Sequence, residues 1–253
     1  AQLVQEARRS GVGILPPDVL ISDWDCTLEP GADGALAIRI GLRQVRSLAR
    51  AEAQRIMVAR ALRPPASIAE LARAADLNRG ALQKLAAAGA LGNLSAHRHE
   101  ASWLALGAER PAGSLQLEAA TEPAVSLPAP SEAQEILADY RQLTLSTTRH
   151  PLVLLRAHLR RLNIRSTLEL RALTDGATVR AAGLITHLQQ PGTAAGVVFL
   201  SLEDETGILS VILWPQVFAT QRSAALSASL MVVSGTLQNR AGVTHLIARR
   251  LHD

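Results

Sequence analysis

The chain has 253 residues, 48% hydrophobic and 19% charged, with 26 Lys and Arg against 22 Asp and Glu for a formal net charge of +4. That length and apolar content can bury the cores of one or two domains and exclude wholesale disorder. A lone cysteine, Cys26, excludes an intrachain disulfide and a Cys-rich zinc site, and no apolar run approaches the roughly 20 residues of a membrane span. No charged-then-apolar leader opens the sequence, so a reducing cytoplasm is the expected compartment and no membrane is expected as a partner. Lys84 is the one lysine, and aromatic residues are 2% of the chain. The arginine excess is read first as a mark of genome composition; the high isoelectric point marks a possible polyanionic partner and nothing more.

Charge is unevenly spread. Residues 1–110 carry 14 basic and 11 acidic side chains, 111–135 carry no basic residue and four glutamates, 136–180 carry eight arginines and three acids, and 181–253 carry four of each sign. In chain order, Ile38–Gly41–Leu42 leads through Arg43, Arg46 and Arg50 into a helix expected over 51–61. Ser67 and Glu70 form a capping box for a helix to about Ala75, and Asn78 caps a second over 79–88 that Gly89 ends. The acidic segment 111–135, with Pro111, Pro123, Pro128 and Pro130, cannot build a core and reads as a linker. Pro151 opens a further helix with Leu152, Leu155, Leu159 and Leu162 at helical spacing. From Ala177 the period becomes two, with strands at about 178–187, 197–202, 208–214, 230–238 and 243–250. One helix is expected between the third and fourth strands, over 215–226. Five short strands interrupted there have the order of an OB-fold, so the fold class is α+β: a helical helix-hairpin-helix region followed by a five-stranded OB barrel.

Catalytic constellations are scarce, and no catalytic or metal-ligating residue is assigned. Asp23 and Asp25 could share a divalent cation, since alternate residues of an extended segment face one side, but two carboxylates make no selective site and a solvated turn is the plainer reading. His97, His99 and Cys26 fit no zinc spacing, and Glu203-Asp204-Glu205 reads as a hairpin turn. Nucleic-acid signals are stronger. Gly41, Arg43, Arg46, Ser47 and Arg50, with Asn78, Arg79 and Lys84, are candidates for duplex-backbone contacts: a tight turn ahead of a helix exposes amides, and arginines add charge-assisted bonds to phosphate. On the barrel, His187, Phe199 and Trp214, with Phe218, are candidate stacking platforms for a single strand, although each residue type is equally at home in a core. Gln142-Leu143-Thr144-Leu145-Ser146 is similar to the peptide by which bacterial polymerases dock on the sliding clamp, without its terminal Phe.

Several stretches in order carry a family resemblance: Gly11-Val12-Gly13-Ile14-Leu15-Pro16-Pro17-Asp18-Val19, Ile40-Gly41-Leu42 with Val45-Arg46-Ser47-Leu48, His97-Arg98-His99-Glu100-Ala101-Ser102-Trp103, His150-Pro151-Leu152, and Leu202-Glu203-Asp204-Glu205-Thr206-Gly207 with Val211-Ile212-Leu213-Trp214-Pro215. They resemble the C-terminal region of bacterial family-C DNA polymerases, closest to the error-prone, damage-inducible translesion branch. The resemblance implies a multi-domain fragment: the end of a fingers region at 1–36, helix-hairpin-helix at 37–110, linker at 111–135, helical connector at 136–176 and OB-fold at 177–253. It implies DNA, duplex and single-stranded template, as partner, along with accessory proteins of a mutagenesis complex and an indirect route to the sliding clamp. Mg²⁺ is implied for the complete polymerase, whose metal-binding palm would precede Ala1, and no cofactor for this portion, which would be inactive alone. Ser47 departs from the family, which favours Gly at that turn. The competing reading is a protein-interaction module that docks the accessory proteins and binds little DNA; a metal-dependent enzyme on Asp23 and Asp25 is a distant third.

Overall fold

A computed structural model describes residues 2–31, 34–108, 126–240 and 242–252. The chain divides into two compact units, Ala1–Thr148 and Arg149–Asp253.

The first unit opens with helix α1 (Gln2–Arg9) and a small sheet that the sequence patterning does not reveal: β1 (Gly13–Leu15), β2 (Thr27–Pro30) and β3 (Leu36–Arg39). The strand order is β1-β3-β2, parallel on one side of β3 and antiparallel on the other. A 3-10 turn at Leu42–Gln44 follows, then α2 (Arg50–Leu62), α3 (Ile68–Ala74), α4 (Arg79–Ala87), α5 (Arg98–Gly107) and α6 (Glu132–Leu143). Leu42, Ile56, Leu71, Leu82, Leu85, Leu91 and Leu143 are buried together; each such side chain contributes about 1.5–3 kcal/mol. The N-caps fall where the sequence predicts, although the carboxylate half of the Ser67–Glu70 box reaches one residue further back. Ser67 Oγ accepts from the Glu70 amide, while the Glu70 carboxylate accepts from the amide of Ala66. Asn78 Oδ1 accepts from the Ala81 amide, and Gly89 takes a left-handed φ of +73° after α4.

Of the expected linker, 111–125 lies outside the described residues. The rest differs from a linker: Ser131 caps α6, so Glu132 and Glu135 stand in its first turn, where carboxylates favour the helix dipole. Arg98 of α5 ion-pairs with Glu135 and with the buried Asp139 of α6, at 2.9 and 2.7 Å, and donates to the Ala87 carbonyl. Residues 136–148, expected as connector, thereby pack into the first unit.

The second unit begins with α7 (Pro151–Arg161), with Pro151 in its first turn and the His150 ring nitrogen accepting from the Leu152 amide. Next come β4 (Ile164–Arg165), α8 (Thr167–Arg171), β5 (Thr178–Gln189), β6 (Val198–Glu203), β7 (Ile208–Leu213), α9 (Pro215–Thr220), α10 (Arg222–Ser227), β8 (Leu230–Arg240) and β9 (Val243–His252). Neighbours run β4-β5-β6-β7-β9-β8, and β8 returns to pair with β5. The last five strands thus close an OB-type barrel with β7 and β9 parallel, and β4 adds to its edge. Val198, Leu200, Leu202, Leu209, Val211, Leu213, Val233 and Leu246 fill the interior at every second position. Closure depends on two glycines. A Cβ at Gly183 would lie 2.7 Å from the Leu202 side chain, and one at Gly235, beside a bulge, 2.1 Å from the Ile247 carbonyl oxygen.

The single helix expected over 215–226 is two short helices. Gln221 breaks them at φ −124°, ψ 25°, and its side chain accepts from the Leu251 amide at 2.7 Å, tying the break to β9. The turn after β6 is also more than a hairpin. Asp204 is buried and accepts from Thr206, Gly207 and, at 2.6 Å, the Thr167 amide at the start of α8. Arg156 of α7 grips Glu205 through two nitrogens and reaches Asp204. Burial raises the Glu205 carboxyl, but the Arg156 hydrogen bond and charge outweigh it and hold the group below its ordinary range.

Candidate nucleic-acid interface

In the first unit the site is the turn between the 3-10 segment and α2. Ser47 sits at φ +60°, in the left-handed region that L side chains rarely adopt. The Leu48 amide closes the turn on the Val45 carbonyl (3.1 Å), and two further bonds tie it to neighbouring helices. The Arg46 amide donates to the Gln142 carbonyl at the end of α6 (2.9 Å), and Lys84 Nζ of α4 donates to the Ser47 carbonyl (2.8 Å). Around it Arg43, Arg46 and Arg50 are exposed, and Asn78 and Arg79 are exposed at the start of α4.

These side chains are not equally free. Arg43 ion-pairs with Asp25, Arg50 lies 6.0 Å over the Trp24 ring, and Lys84 and Asn78 are used as already stated. The Arg46 and Arg79 side chains make no hydrogen bond or ion pair among the described residues, so among the candidates around this turn they are the uncommitted cations. Gly41 differs from the reading of an open amide. It is buried, its amide faces Cys26 Sγ at 3.4 Å, and a Cβ there would lie 2.5 Å from the Trp24 carbonyl oxygen. Gly41 therefore serves close backbone packing beneath the turn.

Other candidates resolve as scaffold. Asp23 pairs with Arg60 and Asp25 with Arg43, so both carboxylates are committed to arginines. The loop before them is set by Asp18, which accepts from the Leu20 amide and from Asn93; burial raises its carboxyl above the ordinary range. His97 caps α5 and contacts the Leu127 carbonyl, and His99 contacts that of Pro128. The clamp-like peptide is not available as a docking segment: Leu143, Leu145 and Ser146 are buried in the first unit. A match of residue types carries no information about which side of them faces solvent.

In the second unit the outward face of β5, β6, β7 and β9 carries two cross-strand rows. Gln189, Phe199, Ile212 and Ile247 form one; His187, Ser201, Ser210 and His245 form the other. Trp214, 49% exposed, continues β7 at the end where Gly196 packs against Pro215. His187 is exposed and Phe199 half-buried, whereas Phe218 packs against the barrel core with Arg222 5.9 Å over its ring. The face therefore joins His187, Phe199 and Trp214 and leaves Phe218 out. Sequence reasoning missed Gln189, Ser201, Ser210, Ile212, His245 and Ile247. The alternation was visible, but which alternate set faces outward depends on closure of the barrel.

A left-handed turn buttressed by helices and ringed by arginines, and a barrel with a mixed aromatic and polar face, define a chain of two nucleic-acid-binding modules. Comparison with known proteins agrees. The helix-hairpin-helix motif family matches residues 11–101, and the OB-fold nucleic acid binding domain family matches 179–253. Error-prone DNA polymerase of Alkalilimnicola ehrlichii is 45% identical over 253 residues, covering 100% of this chain and 25% of that protein. Those of Aromatoleum aromaticum and Pseudomonas syringae are 46% and 43% identical, again over 100% of this chain, covering 24% and 25% of theirs. By sequence the chain is similar to a C-terminal part of error-prone DNA polymerases, and it spans about a quarter of their length. Among solved structures, asparaginyl-tRNA synthetase from Pyrococcus horikoshii has TM-score 0.30 and 21% identity over 35% of this chain and 21% of its own.

Proposed function

We propose that this chain is the DNA-holding part of an error-prone polymerase acting in translesion synthesis and repair, with the hairpin on the duplex backbone and the barrel on the single-stranded template. The observation that carries this reading is the hairpin itself. A non-glycine residue is held in a left-handed turn by Lys84 and Gln142, with Arg46 and Arg79 uncommitted nearby. Such contacts position a backbone and read no sequence. Among the described residues no group of three His, Cys, Asp or Glu is placed to hold a metal. This reading assigns polymerisation to other parts of such an enzyme. No helix among the described residues is long and apolar enough to cross a membrane; a cytoplasmic location is part of the proposal.

The test is direct. The purified chain should bind primed DNA with affinity that falls steeply with salt and should add no nucleotide to the primer in Mg²⁺. Salt-insensitive or absent binding overturns the first half, and primer extension the second.

A docking role for accessory proteins of a mutagenesis complex is a second reading. It is favoured by exposed Leu154, Leu155 and Leu162 on and just after α7 and Leu168 on α8. Capture of such a protein that survives high salt and nuclease, and is lost on Leu155→Glu, supports it; capture that nuclease abolishes does not.

A further inference from the structure

The formal charge of 181–253 is balanced, yet its surface is not. The acidic cluster Glu203-Asp204-Glu205 is turned inward, with Glu203 and Asp204 buried and Glu205 gripped by Arg156. The arginines are left outside. On the barrel wall formed by β4, β5, β8 and β9, register places Arg180 beside Ser234 and Ser234 beside Arg250. Residues paired in this way share a face, so Arg180 and Arg250 project together, two strands apart, or roughly 10 Å. At the sheet edge a cleft of about 470 Å³ is lined by Asn163, Arg165, Thr178, Arg180 and Ser234 over an apolar floor, and no carboxylate among the described residues lines it. Arg165 and Arg250 are exposed and their side chains make no hydrogen bond or ion pair among the described residues. Arg180 donates to the Leu162 carbonyl at 3.2 Å and so is fixed at the cleft. His252, whose ring nitrogen lies 3.5 Å from Ser234 Oγ, feels this charge: burial first, then Arg250 and Arg180, push its imidazole below the ordinary value.

This wall is distinct from the Phe199–Ser201 rows, and His252 is the one ring among the residues named on it, so it offers no Phe, Tyr or Trp platform. What it offers is fixed positive charge with hydrogen-bonding Asn, Ser and Thr side chains, the chemistry of phosphate contact without base contact. We propose that the Arg165–Arg180 cleft, with Arg250 beside it across Ser234, is a third DNA-binding site, which holds the phosphodiester backbone of a single strand. The cleft takes a short run of backbone and is too small for the width of a duplex. It builds on the DNA-holding role but is separate from both surfaces assigned to that role.

The test uses the full chain with labelled single-stranded and duplex DNA across a salt series. Arg165→Gln with Arg250→Gln should reduce the slope of log K against log salt for the single strand by about 1.4, from two phosphate contacts at about 0.7 each, with far-UV dichroism unchanged. Arg165→Glu with Arg250→Glu should weaken single-strand binding further. Arg180 is left intact because it also bonds the backbone. An unchanged slope and affinity in the folded double variant overturns the site while leaving the DNA-holding role standing. A loss confined to duplex overturns the single-strand assignment. Polyglutamate competing as well as DNA does overturns the nucleic-acid assignment in favour of an acidic polypeptide. Absence of DNA binding by the unaltered chain overturns the DNA-holding role, and this site with it.

Discussion

At the scale of residues, the hairpin arginines are ranked by what already holds them. Arg43 must leave Asp25 and Arg50 must leave the Trp24 face to meet a phosphate, whereas Arg46 and Arg79 leave nothing. Arg46→Ala with Arg79→Ala should therefore weaken duplex binding uniformly across sequences and lower the salt slope by about 1.8. Arg43→Ala should cost less than Arg46→Ala; fluorescence anisotropy at several salt concentrations reads both. Ser47 carries a conformational cost of about 1–2 kcal/mol at φ +60°. Ser47→Gly relieves it, partly offset by added unfolded-chain entropy, so a gain of up to about 1 kcal/mol is expected in urea melting. Ser47→Val, β-branched in the left-handed region, should lose stability instead.

At the scale of elements, the junction of α7, α8 and the β6–β7 turn rests on one cation. Arg156→Ala would leave the carboxylates of Asp204 and Glu205 without it, at a cost of about 3–5 kcal/mol. Glu205 and Glu169 are both held below the ordinary 4.5, Glu169 chiefly by its backbone bond at Ser166 despite some burial. A lowered carboxyl contributes stability that is fully present above the unfolded value and is lost as pH falls through the folded one. The second unit should thus weaken below about pH 4.5. Asp18, raised by burial, acts in the opposite sense in the first unit. Urea midpoints from Trp214 emission, in a Trp24→Phe, Trp103→Phe background, should show the acid loss in the parent and a weaker one in Arg156→Ala. Gly235→Ala, which sets a Cβ on the Ile247 carbonyl oxygen, should open the barrel and abolish that cooperative transition.

At the scale of the whole molecule, the two modules predict a dissociation of effects. Phe199→Ala with Trp214→Ala should cost single-strand binding about 1–3 kcal/mol per lost platform and leave duplex binding nearly unchanged. Arg46→Ala with Arg79→Ala should do the reverse. Parallel titrations of the two variants on both forms of DNA check this, and equal losses on both forms would mean one shared surface.

Much of the fold was legible in the sequence because it rests on local chemistry. Ser67, Asn78 and Gly89 act within one helical turn of themselves, and the alternation from Ala177 onward reports strand faces directly. The three-stranded sheet of the first unit was not legible, since strands of three or four residues are too short to show a period. Nor was α6 as a wall of that unit, because Pro128 and Pro130 just ahead of it dominate the local composition. The sequence by itself determined the main capped helices and the barrel strands, the two module types and the resemblance to error-prone polymerases. Tertiary structure decided which charges are spent. It pairs Arg43 with Asp25, buries Gly41 and Leu143, and turns Glu203-Asp204-Glu205 inward while leaving Arg165 and Arg250 outside. The physical reason is that a charge or an apolar side chain acts through its nearest neighbours, and those neighbours are set by contacts between residues far apart in the chain.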